Sequence, residues 1–211
     1  MRDFTAQEVK QVATKAGFKV FTTPYSVTLL SIRNPETLSV DVWDDKTIAL
    51  WYDSSKKLNI FQCTSTTHPG INYLMKPFRG TKGPICMLDG IQFRGLYKLM
   101  DKGHNPPSGG YRAFRQVKPA EYVRDTNLNS VNDYNNLIKN PNNIIKGIFN
   151  TNLHRASQYK INNLIGPWSA GCQVIQKYED FIQLIAIGNK QIEMGLGDTF
   201  SYGILNYNLF K

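Results

Sequence analysis

Residues His154 to Cys172 read HRASQYKINNLIGPWSAGC and join one of the chain's three histidines to one of its three cysteines. The stretch ends in a turn of small residues, Ser169-Ala170-Gly171, directly before the thiol. A thiol that attacks a carbonyl needs a base to take its proton, and imidazole is the side chain that most often does so. This stretch therefore predicts a nucleophile and a base formed by Cys172 and His154.

The residues before the histidine predict how its ring is presented. Over residues 147–154 the sequence alternates like a strand, which puts Phe149 and Leu153 on one face and Asn152 and His154 on the other. We expect Phe149 and Leu153 to enter the core, which leaves the imidazole on a polar face beside Asn152. A histidine that serves only the structure, with its hydrogen bonds satisfied, is the alternative at this position.

The surroundings of the thiol are basic. Between Tyr134 and Tyr178 no acidic residue occurs, whereas five basic residues do: Lys139, Lys146, Arg155, Lys160 and Lys177. Positive charge stabilises a thiolate, so we expect a lowered pKa for the Cys172 thiol and attraction of an anionic substrate. A solvated basic loop would carry the same charges.

The glycine before the thiol predicts where a substrate carbonyl would lie. Gly171 has no side chain, so the carbonyl can come close to the backbone there. The N–H groups of Gly171 and Cys172 would then stabilise the oxyanion of a tetrahedral intermediate.

The rest of the chain predicts a mostly β protein of the α+β class. Short stretches rich in β-branched and aromatic residues, separated by turn residues, predict strands over 27–32, 38–43, 47–52, 58–64, 191–194 and 200–205. A short helix is predicted over 4–17, where Thr5 and Glu8 form a capping box. A second helix is predicted over 178–187, directly after the cysteine, with Gly188 at its end.

This pattern predicts one domain with a small appendage. Residues 1–25 are the N-terminal helix and lead-in packed on the core, and residues 26–211 are the catalytic domain. The asparagine-rich segment around 124–143 is predicted to be a polar surface insertion. Glycine and proline over 101–110 predict a loop that exposes His104.

Composition limits the partners. A net charge of +9 predicts attraction to polyanions, such as an anionic cell-wall polymer. No helix-turn-helix pattern, zinc spacing or RNA-binding aromatic motif occurs, which disfavours nucleic acid. Three cysteines without a CxxC pair predict neither a disulfide framework nor a zinc site, and we expect no metal or cofactor. The oligomeric state is left open.

The sequence predicts neither a membrane helix nor a secretory signal. No apolar run approaches the roughly 18 residues that a membrane helix needs, so no membrane span is predicted. The first residues lack the apolar segment of a secretory signal, so we expect synthesis in the cytoplasm without a signal peptide. Action outside the cytoplasm would then require another route of delivery.

The eighteen-residue step from His154 to Ser169-Ala170-Gly171-Cys172 resembles the signature of YkuD-type L,D-transpeptidases, in which histidine and a spacer precede Ser-His-Gly-Cys. Residues 63–70, Cys-Thr-Ser-Thr-Thr-His-Pro-Gly, resemble the family's Thr-Pro-x-Gly turn. About two thirds of the chain, from Leu38 onward, is similar to that catalytic core. The resemblance implies a β-sandwich of mixed sheets.

The resemblance also implies roles for particular residues. Cys172 would be the nucleophile and His154 its base, with the ring oriented by the backbone carbonyl of Arg155. Ser169 and Gly171 would shape the turn and the oxyanion site. Three further residues are candidates for substrate binding: Asn152, Trp168 and His104. The implied activity is cysteine-dependent acyl transfer on peptidoglycan stem peptides, either to an amine or to water.

Three positions depart from the family signature. Ala170 replaces its second histidine, Val174 stands where arginine or asparagine is common, and Arg155 stands where a small residue is common. These changes affect recognition of the donor stem and the choice between transfer and hydrolysis. A divergent, phage-encoded member that hydrolyses the host cell wall, in the periplasm or after phage delivery, fits both the changes and the missing signal peptide.

A non-catalytic function remains open, and a second class of cysteine peptidase is disfavoured. A cell-wall-binding or virion structural protein could retain the fold without its chemistry. Papain-like and NlpC-type peptidases place their histidine after the cysteine, whereas no histidine follows Cys172 in this chain.

Overall fold

The computed structural model describes residues 1–35, 40–105 and 109–211. These residues form a closed barrel of eight strands and a separate sheet of three strands. The strands are β1 (Thr28–Arg33), β2 (Asp45–Tyr52), β3 (Leu58–Thr66), β4 (Ile85–Met87), β5 (Gln92–His104), β6 (Tyr111–Gln116), β7 (Ala120–Arg124), β8 (Ile144–Gly147), β9 (Leu153–Arg155), β10 (Gln173–Ile175) and β11 (Thr199–Asn206). The helices are α1 (Ala6–Lys15), α2 (Ile71–Met75), α3 (Tyr134–Leu137) and α4 (Tyr178–Glu193). The predicted mostly β class, mixed with helices, is confirmed.

The barrel runs in the order β1-β11-β5-β6-β9-β10-β3-β2 and the small sheet in the order β4-β7-β8. Strands β1 and β11 pair in parallel, as do β9 and β10. A β-sandwich was therefore the wrong expectation, because pairing of β1 with β11 closes the larger sheet on itself.

Two apolar clusters cover the two faces of β1. Leu29 lies in the main core, together with α4 and the aromatic residues of β5, β6 and β11. Leu30 and Ile32, on the other face, pack with α1. Every residue of β1 is buried for this reason.

The N-terminal helix lies where the sequence predicts one. The N–H of Glu8 donates to the Thr5 hydroxyl, so the predicted N-cap is present. Val9 and Ala13 are buried against the barrel strands.

Helix α4 is longer than predicted. Gly188 lies inside it rather than at its end, and the predicted strand over 191–194 is wrong because Gln191 to Glu193 form its last turn. A Cβ at Gly188 would lie 3.0 Å from Leu99 and 3.1 Å from Phe114. The glycine therefore allows close packing of the helix on the barrel instead of ending the helix.

Three further expectations need correction. Of the predicted strand over 38–43, residues 38 and 39 lie outside the described residues; Val40 and Asp41 form a turn, and Val42 and Trp43 have no regular secondary structure. The predicted loop over 101–110 begins later, because Asp101 to His104 belong to β5; residues 106–108 lie outside the described residues. Phe149 is 36% exposed and does not enter the core, whereas Leu153 does, since the chain leaves β8 at Gly147 and bends before β9.

The polar segment around 124–143 carries α3 and follows β7. Its Tyr134 is buried, and the ring lies 4.3 Å from the guanidinium carbon of the buried Arg33. Among the described residues, no helix is both long and apolar enough to cross a membrane.

Candidate active site

His154 lies on β9, and Cys172 lies directly before β10, the strand that pairs with β9 in parallel. Gln173 lies opposite Leu153 and Val174 opposite His154, and the N–H of Gln173 donates to the Asn152 carbonyl at 3.0 Å. Residues opposite each other in a sheet point to the same side. Because Leu153 points into the core, His154 projects from the outer face. Cys172 packs against the apolar cluster that contains Val174, the residue opposite His154. The eighteen-residue step in the sequence is thus the connection between two neighbouring strands.

The His154 ring is held in one orientation. It is buried, and its Nδ1 lies 2.7 Å from the Arg155 carbonyl oxygen and 3.2 Å from the Tyr111 hydroxyl. Since a carbonyl only accepts, Nδ1 carries the ring proton and Nε2 is the nitrogen left to take another. Nε2 is buried and has no hydrogen-bond partner among the described residues.

His104 contacts the base, and the Asn152 side chain contacts His104. The two imidazole rings of His104 and His154 stack with centroids 3.8 Å apart and an angle of 12° between their planes. The Asn152 amide nitrogen lies 3.5 Å from His104 Nδ1, and its oxygen accepts the N–H of Gln116 at 3.0 Å. His104 is half-buried rather than exposed, and its predicted exposure is wrong.

Both stacked rings are neutral around pH 7. Burial lowers the pKa of His154 well below its ordinary value, and the neighbouring His104 lowers it further. Burial also lowers the pKa of His104 to about 4, with Arg155 and Arg115 acting in the same direction. Neutral imidazoles can stack face to face without charge repulsion, and a neutral imidazole is the form that accepts a proton.

The Cys172 thiol is a neutral group in this structure. Its Sγ lies 3.6 Å from the Asn150 carbonyl oxygen, and its side chain is partly exposed. Burial raises the pKa of the thiol to about 11, against a smaller lowering by the backbone of Asn152. The lowered pKa predicted from the basic residues is therefore wrong for this state, because the loss of hydration outweighs distant charge.

The turn before the thiol is already hydrogen-bonded. The Ser169 hydroxyl accepts the N–H of Gly171 at 3.2 Å and donates to the Cys172 carbonyl at 2.9 Å. Gly171 has φ +134°, and a Cβ there would lie 2.5 Å from the Ile85 carbonyl oxygen. Its lack of a side chain therefore permits close packing against β4. Within the described part of the chain, the Cys172 N–H makes no hydrogen bond and is the donor left for an oxyanion.

The thiol packs against an apolar cluster. Trp168 ends a 3₁₀ turn, Gly166–Trp168, and is half-buried. It packs with Cys172 against a cluster formed by Trp43, Ala156, Ile165 and Val174. Trp168 and Cys172 thus pack against the same apolar cluster, and a role of Trp168 in substrate binding stays a prediction.

Two residues of the site were missed in the sequence. Tyr111 donates to the Arg155 carbonyl at 3.3 Å, and its ring lies 4.1 Å from the guanidinium carbon of Arg155. Arg115 donates to the Asn150 side-chain oxygen at 3.2 Å. Both lie on β6, which pairs with β9 through Phe114 and Leu153. No local pattern predicts that pairing, so nothing in the sequence points to either residue.

Reaction of Cys172 with iodoacetamide is expected to be slow near neutral pH. A pKa of about 11 leaves a thiolate fraction of ~10⁻⁴ at pH 7, roughly 300-fold below that of an ordinary cysteine. The rate should rise about tenfold per pH unit up to about pH 11, as measured by mass spectrometry of the native protein. The variant Cys172→Ser is the control, since Cys63 and Cys86 are buried and should not react. A plateau of the rate below pH 9 would contradict the neutral thiol.

Comparison of the chain with protein-family models, with curated proteins and with solved structures gave no match in any of the three. A function for this protein is accordingly inferred from the chemistry of its own residues.

Proposed function

We propose that this protein catalyses cysteine-dependent acyl transfer on peptidoglycan stem peptides, with Cys172 as nucleophile and His154 as base. The observation that carries the proposal is the position of His154 on β9 and of Cys172 directly before the paired strand β10, with Nε2 of His154 left without a hydrogen-bond partner in the described part of the chain. The substrate class is supported by the resemblance of the histidine-to-cysteine step to L,D-transpeptidases and by the net charge of +9.

The reaction begins from a neutral thiol and a neutral imidazole. As the substrate carbonyl approaches, the thiol proton moves to Nε2 of His154 and Sγ bonds to the carbonyl carbon. The oxyanion accepts the Cys172 N–H. The C–N bond then breaks, and the imidazolium returns its proton to the leaving amine, which yields a thioester on Cys172.

The second half of the reaction regenerates the thiol. An amine of another stem peptide, or water, attacks the thioester while His154 takes its proton. The C–S bond breaks and the sulfur recovers a proton from the imidazolium. Attack by an amine makes a new peptide bond, and attack by water hydrolyses the donor. We place this activity at the bacterial cell wall, with phage delivery as the route.

The direct test is product analysis on defined muropeptides. Purified protein is incubated with a disaccharide tetrapeptide, with and without an added D-amino acid, and the mixture is analysed by liquid chromatography and mass spectrometry. We expect loss of the terminal residue, or its exchange for the added amine, together with an acyl adduct on Cys172. The variant Cys172→Ala should give none of these. Absence of every such species with the unchanged protein would refute the proposal.

A second candidate is a cell-wall-binding or virion structural protein that uses the fold without the chemistry. The raised pKa of the thiol and the bonded N–H of Gly171 favour it, because both reduce the readiness of the site for acyl transfer. Under this candidate, wild-type protein and Cys172→Ala sediment equally well with purified peptidoglycan and neither changes it.

A further inference from the structure

Strand β9 lies between the strand that carries Arg115, β6, and the strand that follows the proposed nucleophile, β10. Phe114 of β6 lies opposite Leu153 of β9, which places Arg115 next to Asn152. Cys172 lies next to Asn152 from the other side, on the strand that pairs with β9 in parallel. The backbones of Arg115 and Cys172 therefore flank the same residue and lie about two strand spacings, ~10 Å, apart across the sheet.

Both side chains converge on one asparagine. The Arg115 guanidinium donates to the Asn150 side-chain oxygen at 3.2 Å, and the Cys172 thiol donates to the Asn150 carbonyl at 3.6 Å. The guanidinium and the sulfur thus contact two different atoms of the same residue. In an acyl donor, the carboxylate of the residue that follows the attacked carbonyl lies about 3.5 Å further along the extended chain.

The charge of Arg115 is not neutralised by an acid. Within residues 1–35, 40–105 and 109–211, neither Arg115 nor Arg155 forms a salt bridge. Both lower the pKa of His104, so their charges act on the site. Arg112 on the same strand is different, because it pairs with Asp101 and also donates to Asn189.

We infer that Arg115 binds a carboxylate of the acyl donor, carried by the residue that follows the attacked carbonyl. The inference rests on the proposed function, because it takes the attacked carbonyl to lie at Cys172. A guanidinium with free donors suits a carboxylate, since the two form paired charge-assisted hydrogen bonds. Arg115 is then a specificity-determining residue, which selects donors that end in a free carboxylate.

The test compares two donors that differ in one group. One is a stem tetrapeptide with a free terminal carboxylate, and the other is the same peptide with a terminal amide. Initial rates are measured for wild type, Arg115→Gln, Arg115→Lys and the control Arg112→Gln. Dissociation constants for the two peptides are measured separately in a Cys172→Ala background, where no turnover can occur.

We expect the free carboxylate to be preferred at least tenfold in rate and in affinity. Arg115→Gln should abolish the preference, Arg115→Lys should keep part of it, and Arg112→Gln should keep all of it. Turnover without a preference that depends on Arg115 would overturn the inference and leave the proposed function standing. A preference that depends on Arg115 in the Cys172→Ala background, without turnover in the wild type, would support carboxylate binding and overturn the proposed function. Equal affinity for both peptides, without turnover, would overturn both.

Discussion

Replacement of His154 by glutamine is expected to slow acylation of Cys172 by about 10³-fold. Glutamine retains a polar side chain but cannot take the thiol proton, and burial of the thiol makes its unassisted ionisation costly. The measurement is the single-turnover rate of acyl-enzyme formation with a tetrapeptide donor at pH 7.

The matched control for this variant is Tyr111→Phe. It removes a hydroxyl that lies 3.2 Å from His154 Nδ1. The aromatic ring of residue 111 stays, and so does the shorter contact of His154 Nδ1 with the Arg155 carbonyl oxygen. A loss below about tenfold is expected, in line with one neutral hydrogen bond. Urea unfolding midpoints of both variants separate a chemical loss from a folding loss. A His154→Gln protein that is folded and slowed less than tenfold would exclude the imidazole as the base.

Replacement of Gly171 by alanine is expected to cost about 3 kcal/mol or more of the free energy of unfolding. The Cβ would lie 2.5 Å from the Ile85 carbonyl oxygen and 2.7 Å from the Ile85 side chain, and φ is +134°. The backbone of β4 would have to move away from the turn that carries Cys172. Turnover should fall together with stability, because the same shift displaces the nucleophile.

The variant Gly197→Ala separates the cost of backbone strain from the cost of the close contact with Ile85. Gly197 has φ +87° and nothing within 4 Å of its added Cβ, so only backbone strain is introduced, at about 1–2 kcal/mol. Unfolding in urea, followed by circular dichroism, measures both variants. Equal costs would show that close packing on Ile85 contributes nothing.

Local patterns in the sequence predicted the elements that local interactions specify. Helix α1 begins at Ala6, directly after its capping residue Thr5, and α4 begins at Tyr178 as predicted. The end of α4 was wrong because Gly188 packs against β5 and β6, which no helical pattern reveals. Barrel closure was likewise invisible, since the pairing of β1 with β11 joins residues from opposite ends of the domain.

The candidate site divides in the same way. The spacing of His154 and Cys172 was visible in the sequence, and the structure puts His154 on β9 and Cys172 directly before the neighbouring strand β10. Three other features depend on the register between strands and could not be predicted from the sequence. They are the stacking of His104, the contacts of Tyr111 and the position of Arg115. The predicted direction of the thiol pKa was wrong because the number of nearby basic residues says nothing about how far the thiol loses its hydration on burial.

The parallel pairing of β1 with β11 also has a consequence for folding. A barrel whose first strand must find its last cannot close until nearly the whole domain has left the ribosome. Pairing across such a separation carries a large loop-closure entropy and slows folding. Until it occurs, β1 and β11 remain open edges that can pair with other chains. The nascent protein is therefore most exposed to aggregation just before the barrel closes.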